Sequence, residues 1–368
     1  MKILIATATC GGGHLQAAAA LEEAWKRDRP SDALKRLDVL TYAPAVYRKV
    51  YSEGYLKLVE RAPELYGRWF RATDDPARLK KMTPLRRLSA KWMVRGFLKE
   101  VARFRPKAVL CTHFLPIEAL GSLPAEERPL VACVVTDFEA HALWLEPSVD
   151  LYCVPNPETK ARLEARGVPA GKIAVTGIPV SQRFMKPLSP AAARSRLGLA
   201  AKPTLLVLSG GFGVGPIEAI CRQMDRAAAG FQAVVVAGKN EALRQRLAAR
   251  TFRHPTRVLG FASNMEELMA ASDLILTKPG GLTSSEAMAL GKPMLILYPI
   301  PGQEEANSDY LLERGAAAKV NRLDDLPHRL SSLLRPSALL KMRRAASAVG
   351  KPRAAHAVGA AVRRSLSR

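Results

Sequence analysis

Short apolar runs alternate with stretches of helical spacing along almost the whole chain. In the first half the runs are KILIATA, AVLCTHF, LVACVVTDF, LYCVPN and IAVTG; in the second they are TLLVLSGG, FQAVVVAG, TRVLGF, DLILTKPGG and PMLILYP. Apolar, β-branched strands separated by helices predict parallel sheets covered on both faces. The stretch GIPVSQRFMKPLSPAAARSRLGLAAKP, from Gly177 to Pro203, breaks the rhythm with prolines and basic residues and predicts a domain boundary in its first part. Each half opens in the same way, with a strand, a glycine turn and a helix. The pattern therefore predicts two doubly wound α/β domains, residues 1–183 and 184–345, followed by a basic helix over 346–368 that is free to return to the first domain.

Composition fits this picture. At 368 residues, with 48% hydrophobic and 24% charged, the chain is long enough for two cores and ordinary for a globular protein. No stretch nears the roughly 20 apolar residues of a membrane span, and the first apolar run is interrupted by glycine too soon for a signal peptide. The five cysteines (Cys10, Cys111, Cys133, Cys153, Cys221) form no C-x-x-C pair and read as reduced, buried thiols of a cytoplasmic protein. Charge adds something new: 56 Lys and Arg against 33 Asp and Glu leave +23, a field that concentrates polyanions, whether nucleic acid or an anionic membrane surface.

The first turn reads GGGH. Gly11, Gly12 and Gly13 are expected between the strand and a helix starting near Leu15, where glycine permits positive φ and lets a ligand approach the helix-terminal amides. His14 then stands at the carboxyl end of the strand, where open α/β sheets place their ligands. A dinucleotide site, with Asp38 as the ribose-binding acid, is the first alternative, but the G-x-G-x-x-G order is missing. A tight turn with His14 as helix cap is the second.

The segment GFASNMEELMAASDLILTKPGGLTSSEAMALGKPMLIL, from Gly260 to Leu297, carries more information. With KPGGLTSS as a turn, the amides of Gly280, Gly281 and Leu282 and the hydroxyls of Thr283 and Ser284 can cradle a diphosphate at a helix terminus. Glu286, expected in the first helical turn, suits a ribose diol; its plain alternative is an acid that complements the helix dipole. Gln303, Glu304 and Asn307 on the next loop suit sugar hydroxyls, and Phe261, Asn264 and Met265 one strand earlier suit a nucleobase. Gly210 and Gly211, in the glycine turn that opens the second half, complete the expected donor site.

Together TKPGGLTSSEAMALGKPMLIL, PGQEEAN, GFASNM and GGGH resemble glycosyltransferase family 28 enzymes of the GT-B fold, especially monogalactosyldiacylglycerol synthases and processive diacylglycerol glucosyltransferases. Similarity to the murein lipid-intermediate GlcNAc transferase is weaker, because an extra glycine-rich element is absent before His14. The resemblance implies two Rossmann-like domains facing across a cleft and a UDP-sugar in the carboxyl-terminal domain with Glu286 on its ribose. It also implies inverting transfer to diacylglycerol without a cofactor or nucleotide-bound metal. His14 or Asp137 becomes the expected base, and a neutral histidine suits proton removal near pH 7.

His113, His141 and Trp144 lie in CTHFLP and VVTDFEAHALW at strand ends on the same edge as His14; the spacing of these histidines and Asp137 matches no tight metal motif. With Gly12 and Gly13 they are assigned to the acceptor side, His141 and Trp144 having helix packing as their alternative. From Tyr42 to Phe104 aromatic residues alternate with Lys and Arg, which suits a membrane interface; Tyr51, Trp69, Phe70, Arg86, Arg87 and Lys91 are the expected contacts with anionic lipid such as phosphatidylglycerol. An amphipathic helix packed on the domain is the alternative. No nucleic-acid-binding module is recognisable. The expected location is the inner face of the cell membrane, peripherally bound.

Overall fold

Buried aliphatic runs build two parallel sheets of six strands each. The computed structural model describes residues 1–9, 11–49, 54, 58–59, 61–186, 188–209 and 215–367. Its chain divides into two units: Met1–Gln182 with Pro301–Gln303 and Lys351–Arg368, and Arg183–Ile300 with Glu304–Gly350.

In the first unit β1 (Lys2–Thr7), β2 (Ala33–Asp38), β3 (Ala108–Cys111), β4 (Leu130–Val134), β5 (Leu151–Val154) and β6 (Ile173–Val175) lie in the order β2-β1-β3-β4-β5-β6. Ile3 and Ile5 on one face of β1 pack with Ala18, Leu21 and Trp25 of the helix Gly12–Asp28 and with Val358 and Val362 of the carboxyl-terminal helix Ala354–Leu366. Each such aliphatic side chain contributes about 1.5–3 kcal/mol by leaving water. Gly177 has φ +89, and a Cβ there would overlap Lys351, so only glycine lets the returning chain pass. Cys111, Cys133 and Cys153 occupy three neighbouring strands as free buried thiols, and burial pushes the Cys153 thiol up to about 12. Cys10 lies outside the described residues.

The second unit repeats the plan with β7 (Thr204–Leu208), β8 (Gln232–Val236), β9 (Thr256–Leu259), β10 (Leu274–Thr277), β11 (Met294–Ile296) and β12 (Ala317–Lys319), ordered β12-β11-β10-β7-β8-β9. The sequence pattern misses only β2 and β12. Both are edge strands, ALKRLD half-exposed and AAK three residues long, so neither shows an apolar run.

Strand order fixes where a ligand can sit. From β1 the chain turns first to β2 on one side and later to β3 on the other, which opens a crevice at the carboxyl ends of β1 and β3. In the second sheet the same reversal occurs between β7 and β10. His14, in the first helical turn after β1, and His113 and Gly280, the residues that cap the helices after β3 and β10, all follow strand ends at these reversals.

Candidate active site

The helix after β1 starts earlier than its composition suggests, at Gly12, so Gly12 and Gly13 form its first turn and Gly11 is the residue before it with φ 146. A Cβ at Gly11 or Gly12 would meet nothing within 4 Å, and the amides of this first turn have no partner within the helix. His14 makes no cap; its ring leans instead towards the ends of β3 and β4. Nδ1 lies 2.7 Å from the Thr112 carbonyl oxygen and 3.0 Å from Thr136 Oγ1, while Thr112 Oγ1 donates to the His14 carbonyl at 3.0 Å. A carbonyl oxygen only accepts, so Nδ1 carries the proton and Nε2 keeps the lone pair. Burial holds the imidazole below its usual range, with the charge of Asp137 and the Thr112 bond opposing, so the ring is neutral near pH 7.

Asp137 is buried beside this ring, and its Oδ2 accepts from Gln303 Nε2 at 2.7 Å, Gln303 grouping with the first unit. His113 crosses His14 edge-on with ring centroids 4.8 Å apart, and Trp144 lies against both rings, 6.4 Å from His14 and 6.5 Å from His113. His113 Nδ1 accepts from the Leu115 amide at 3.1 Å, and burial, then the neighbouring His14, holds its pKa well down. His141 is bound up in the framework, where it accepts from the Leu143 amide at 3.0 Å and donates through Nε2 to the Phe70 carbonyl at 2.9 Å. Thr112 and Thr136 went unnoticed in the sequence; their signal was their place as the residues just before His113 and Asp137 at strand ends.

Asp38, the alternative ribose acid, is occupied otherwise. It accepts from the Thr9 amide at 3.2 Å, from the Thr9 hydroxyl and from the Leu40 amide at 3.0 Å, tying the loop after β1 to the loop after β2. The dinucleotide alternative loses its acid.

Two of the expected membrane cations turn inward. Arg86 pairs with buried Glu118 and Arg87 with buried Glu146, because the helix Pro76–Met93 lays that face against the unit's core. Both guanidinium groups are engaged by carboxylates of their own unit. Burial, opposed by Arg86, still pushes Glu118 up to about 7. Lys91 remains exposed. The outward side of this helix and of the preceding helix Pro63–Thr73 carries a different set: Leu65, Trp69, Met82, Leu85 and Leu88 are each about half or more exposed. Phe70 instead packs on His141, with centroids 4.3 Å apart, and lies over Gly302. Tyr51 lies outside the described residues. A cavity of about 610 Å³ opens at the amino-terminal edge of the first sheet, beside Arg105, Lys107 and Leu130, the edge opposite His14.

In the second unit the helix after β10 runs Gly281–Ala289, with Gly280 as its N-cap. Thr283 and Ser284 are therefore inside the helix, and Glu286 sits in its second turn, one turn deeper than expected. The amides of Gly281, Leu282 and Thr283 head the helix, and that of Ser284 is the first to bond back, to Gly280 at 2.9 Å. Ser284 Oγ is fully buried with no partner among the described residues. Glu304, whose Oε2 accepts from the Ile300 amide at 2.8 Å, lies beside Gly280, where a Cβ would stand 3.7 Å from Oε1. Burial, reinforced by Glu266, pushes the Glu286 carboxyl up to about 8. Asn307 is buried, Met265 begins the helix Met265–Ala271, Asn264 donates to Glu267 at 3.2 Å, and Phe261 is exposed with Lys239 over its ring at 5.9 Å. Gly210 and Gly211 lie outside the described residues. No group of three or more His, Cys, Asp or Glu among the described residues is placed to hold a metal ion.

Comparison with known proteins agrees with this layout. The family model of monogalactosyldiacylglycerol (MGDG) synthase matches residues 14–180, and that of the glycosyltransferase family 28 C-terminal domain matches residues 204–360. A processive diacylglycerol β-glucosyltransferase of Bacillus cereus is 32% identical over 361 residues, covering 95% of this chain and 90% of that protein. The chain belongs to glycosyltransferase family 28, in the group of MGDG synthases and processive diacylglycerol glucosyltransferases. A Bacillus mycoides member of this family 28 group, under the same name, is also 32% identical over 95% of this chain and 90% of its own length. In fold this family 28 chain is GT-B: MurG of Acinetobacter baumannii superposes with a TM-score of 0.64 at 17% identity, over 98% of this chain and 99% of that one.

Proposed function

We propose that this chain is a UDP-sugar-dependent hexosyltransferase that moves glucose to the hydroxyl of diacylglycerol. The observation that carries the reading is His14: at the crevice of the first sheet it presents an unprotonated Nε2 because the Thr112 carbonyl, 2.7 Å away, holds the proton on Nδ1. The relatives' name specifies a β-glucoside. Sugar nucleotides carry an α-linked hexose, so a β-product requires inversion. In one step the acceptor oxygen attacks the anomeric carbon, its proton passes to His14 Nε2, and the bond to the diphosphate breaks with the electron pair leaving on UDP. Asp137 stabilises the imidazolium through its charge. The first-turn amides of the helix Gly281–Ala289 and the unpartnered Ser284 hydroxyl suit the departing diphosphate. Glu286 holds a desolvated carboxyl whose ionised form needs donors, which a ribose diol supplies.

Diacylglycerol presents one hydroxyl at a bilayer surface, and no helix among the described residues is long and apolar enough to cross a membrane. The row Leu65, Trp69, Met82, Leu85 and Leu88, flanked by exposed Lys80, Lys81 and Lys91, is the surface we assign to the bilayer, with anionic lipid favoured by the +23 charge. The cytoplasmic face of the cell membrane, where sugar nucleotides are made, is the proposed place of action.

The test is to incubate the purified protein with UDP-glucose or UDP-galactose and vesicles containing diacylglycerol, and to analyse the lipid by mass spectrometry and the anomeric proton coupling by NMR. A β-glucosyldiacylglycerol is expected; absence of any glycolipid with either donor would defeat the reading.

A further inference from the structure

We infer that Thr112 and Thr136 are positioning residues that clamp the His14 ring between two neutral acceptors and so hold its lone pair on Nε2. In many histidine bases a carboxylate takes the Nδ1 proton. Here the acceptor at 2.7 Å is the Thr112 carbonyl and the second oxygen, at 3.0 Å, is the Thr136 hydroxyl. The carboxylate at hand, Asp137, spends an oxygen on Gln303 Nε2 at 2.7 Å. Thr112 grips twice, since its hydroxyl also donates to the His14 main-chain carbonyl at 3.0 Å, so ring and backbone are fixed by one residue at the end of β3.

The parallel register makes this arrangement. Ala6, Cys111 and Cys133 lie side by side in β1, β3 and β4, and the Thr112 amide bonds back to the Ala6 carbonyl at 3.0 Å. The threonines thus leave adjacent strand ends directly below the first turn of the helix Gly12–Asp28. The titratable and polar neighbours of the ring are Asp137 from the loop after β4, His113 from the start of the helix Phe114–Leu120, and Trp144 from the loop after β4. His113 is neutral and gives its Nδ1 to the Leu115 amide, so it offers no charge to the pair. Neutral acceptors leave the imidazole basic enough to take a proton without holding it as tightly as a bonded carboxylate would.

This rests on His14 as the base, and the experiment separates the two. Thr136→Val keeps the shape and removes the hydroxyl; Thr112→Val does the same for the backbone grip; Thr136→Ser and Thr112→Ser restore each. The readouts are kcat and KM for UDP-glucose across pH, and nitrogen NMR of histidine-labelled protein, with His14 assigned by its loss in His14→Gln. The valine variants should lose about five- to tenfold in kcat with KM for the donor unchanged, as expected for one mislaid hydrogen bond felt in the transition state. In Thr136→Val, which removes one of the two acceptors at Nδ1, the His14 signals should pass part-way from the Nδ1-protonated form to a mixture; Thr112→Val keeps the carbonyl acceptor and should shift them less, through the loosened backbone alone, and serine should restore both. Folded valine variants with unchanged kcat and unchanged ring signals would overturn the clamp. Normal turnover in His14→Gln would remove the base reading, and the ring signals would then decide the clamp alone.

Discussion

Glu286 gives the sharpest test of the donor site, because its protonation must change when a ribose arrives. The carboxyl is held up at about 8 by burial and by Glu266, and among the described residues nothing donates a hydrogen bond to it. Near pH 7 it is therefore mostly protonated, whereas a ribose diol calls for the ionised form, which accepts two hydrogen bonds. Binding then expels a proton. At pH 7 a group with its pKa at about 8 is about 0.9 protonated, so UDP-glucose should release about 0.9 proton and bind about tenfold more tightly per pH unit up to about 8. UDP-glucose is preferable to UDP because its phosphates do not titrate in this range. Calorimetry in two buffers of different ionisation enthalpy reads the proton count directly. Glu286→Gln should abolish the proton release and the pH slope and, at a pH where the wild type is ionised, weaken binding by roughly tenfold or more. Stability runs with the opposite sign: the folded carboxyl keeps its proton up to about 8 while the unfolded one loses it near 4.5, so the contribution is full below the unfolded value and lost as pH rises through about 8. An affinity for UDP-glucose that is flat between about pH 6.5 and 8.5 would refute the reasoning.

His14→Gln should lower turnover by about 10² to 10⁴ while leaving UDP-glucose affinity within twofold, measured by product formation and calorimetry. Because burial holds the imidazole below its usual range, the acid limb of kcat/KM should fall at a pH below that of an ordinary histidine. Leu85→Asp with Leu88→Asp should abolish sedimentation with vesicles in a way that salt does not mimic, whereas Lys80, Lys81 and Lys91 changed to Glu should reduce it mainly at low ionic strength. Arg87→Ala should behave differently: it strands the Glu146 carboxylate, 2% exposed, and should cost about 3 kcal/mol in a denaturant melt with vesicle binding retained by the folded fraction.

The chain's apolar rhythm and its glycine turns settled a good deal without any coordinates. Runs such as LLVL and AVVV are apolar on both faces, and only a covered parallel sheet buries both, so two doubly wound units followed directly. The turns after β1 and β10 could be read as candidate ligand sites because glycine and hydroxyl residues precede a helical stretch there. Edge strands could not be read, since β2 and β12 bury too little to require an apolar run. Helix starts were misjudged for a related reason: glycines at positions 12, 13 and 281 look like turn formers, yet strand-to-helix packing draws them into the first turn.

What the sequence alone determined was therefore the fold class, and it marked the strand-end turns that supply the candidate site residues, because both readings depend on local patterns of burial and backbone freedom. Which nitrogen of His14 carries the proton was decided only in three dimensions, by a carbonyl 98 residues away in the chain. The same holds for the arginines. Arg86 and Arg87 look like any basic pair beside aromatic residues, and only the rotation of their helix against Glu118 and Glu146 turns them inward and leaves Leu85 and Leu88 facing out. A side chain's partners depend on register and helix rotation, which come from packing the whole core and are not written in any one segment.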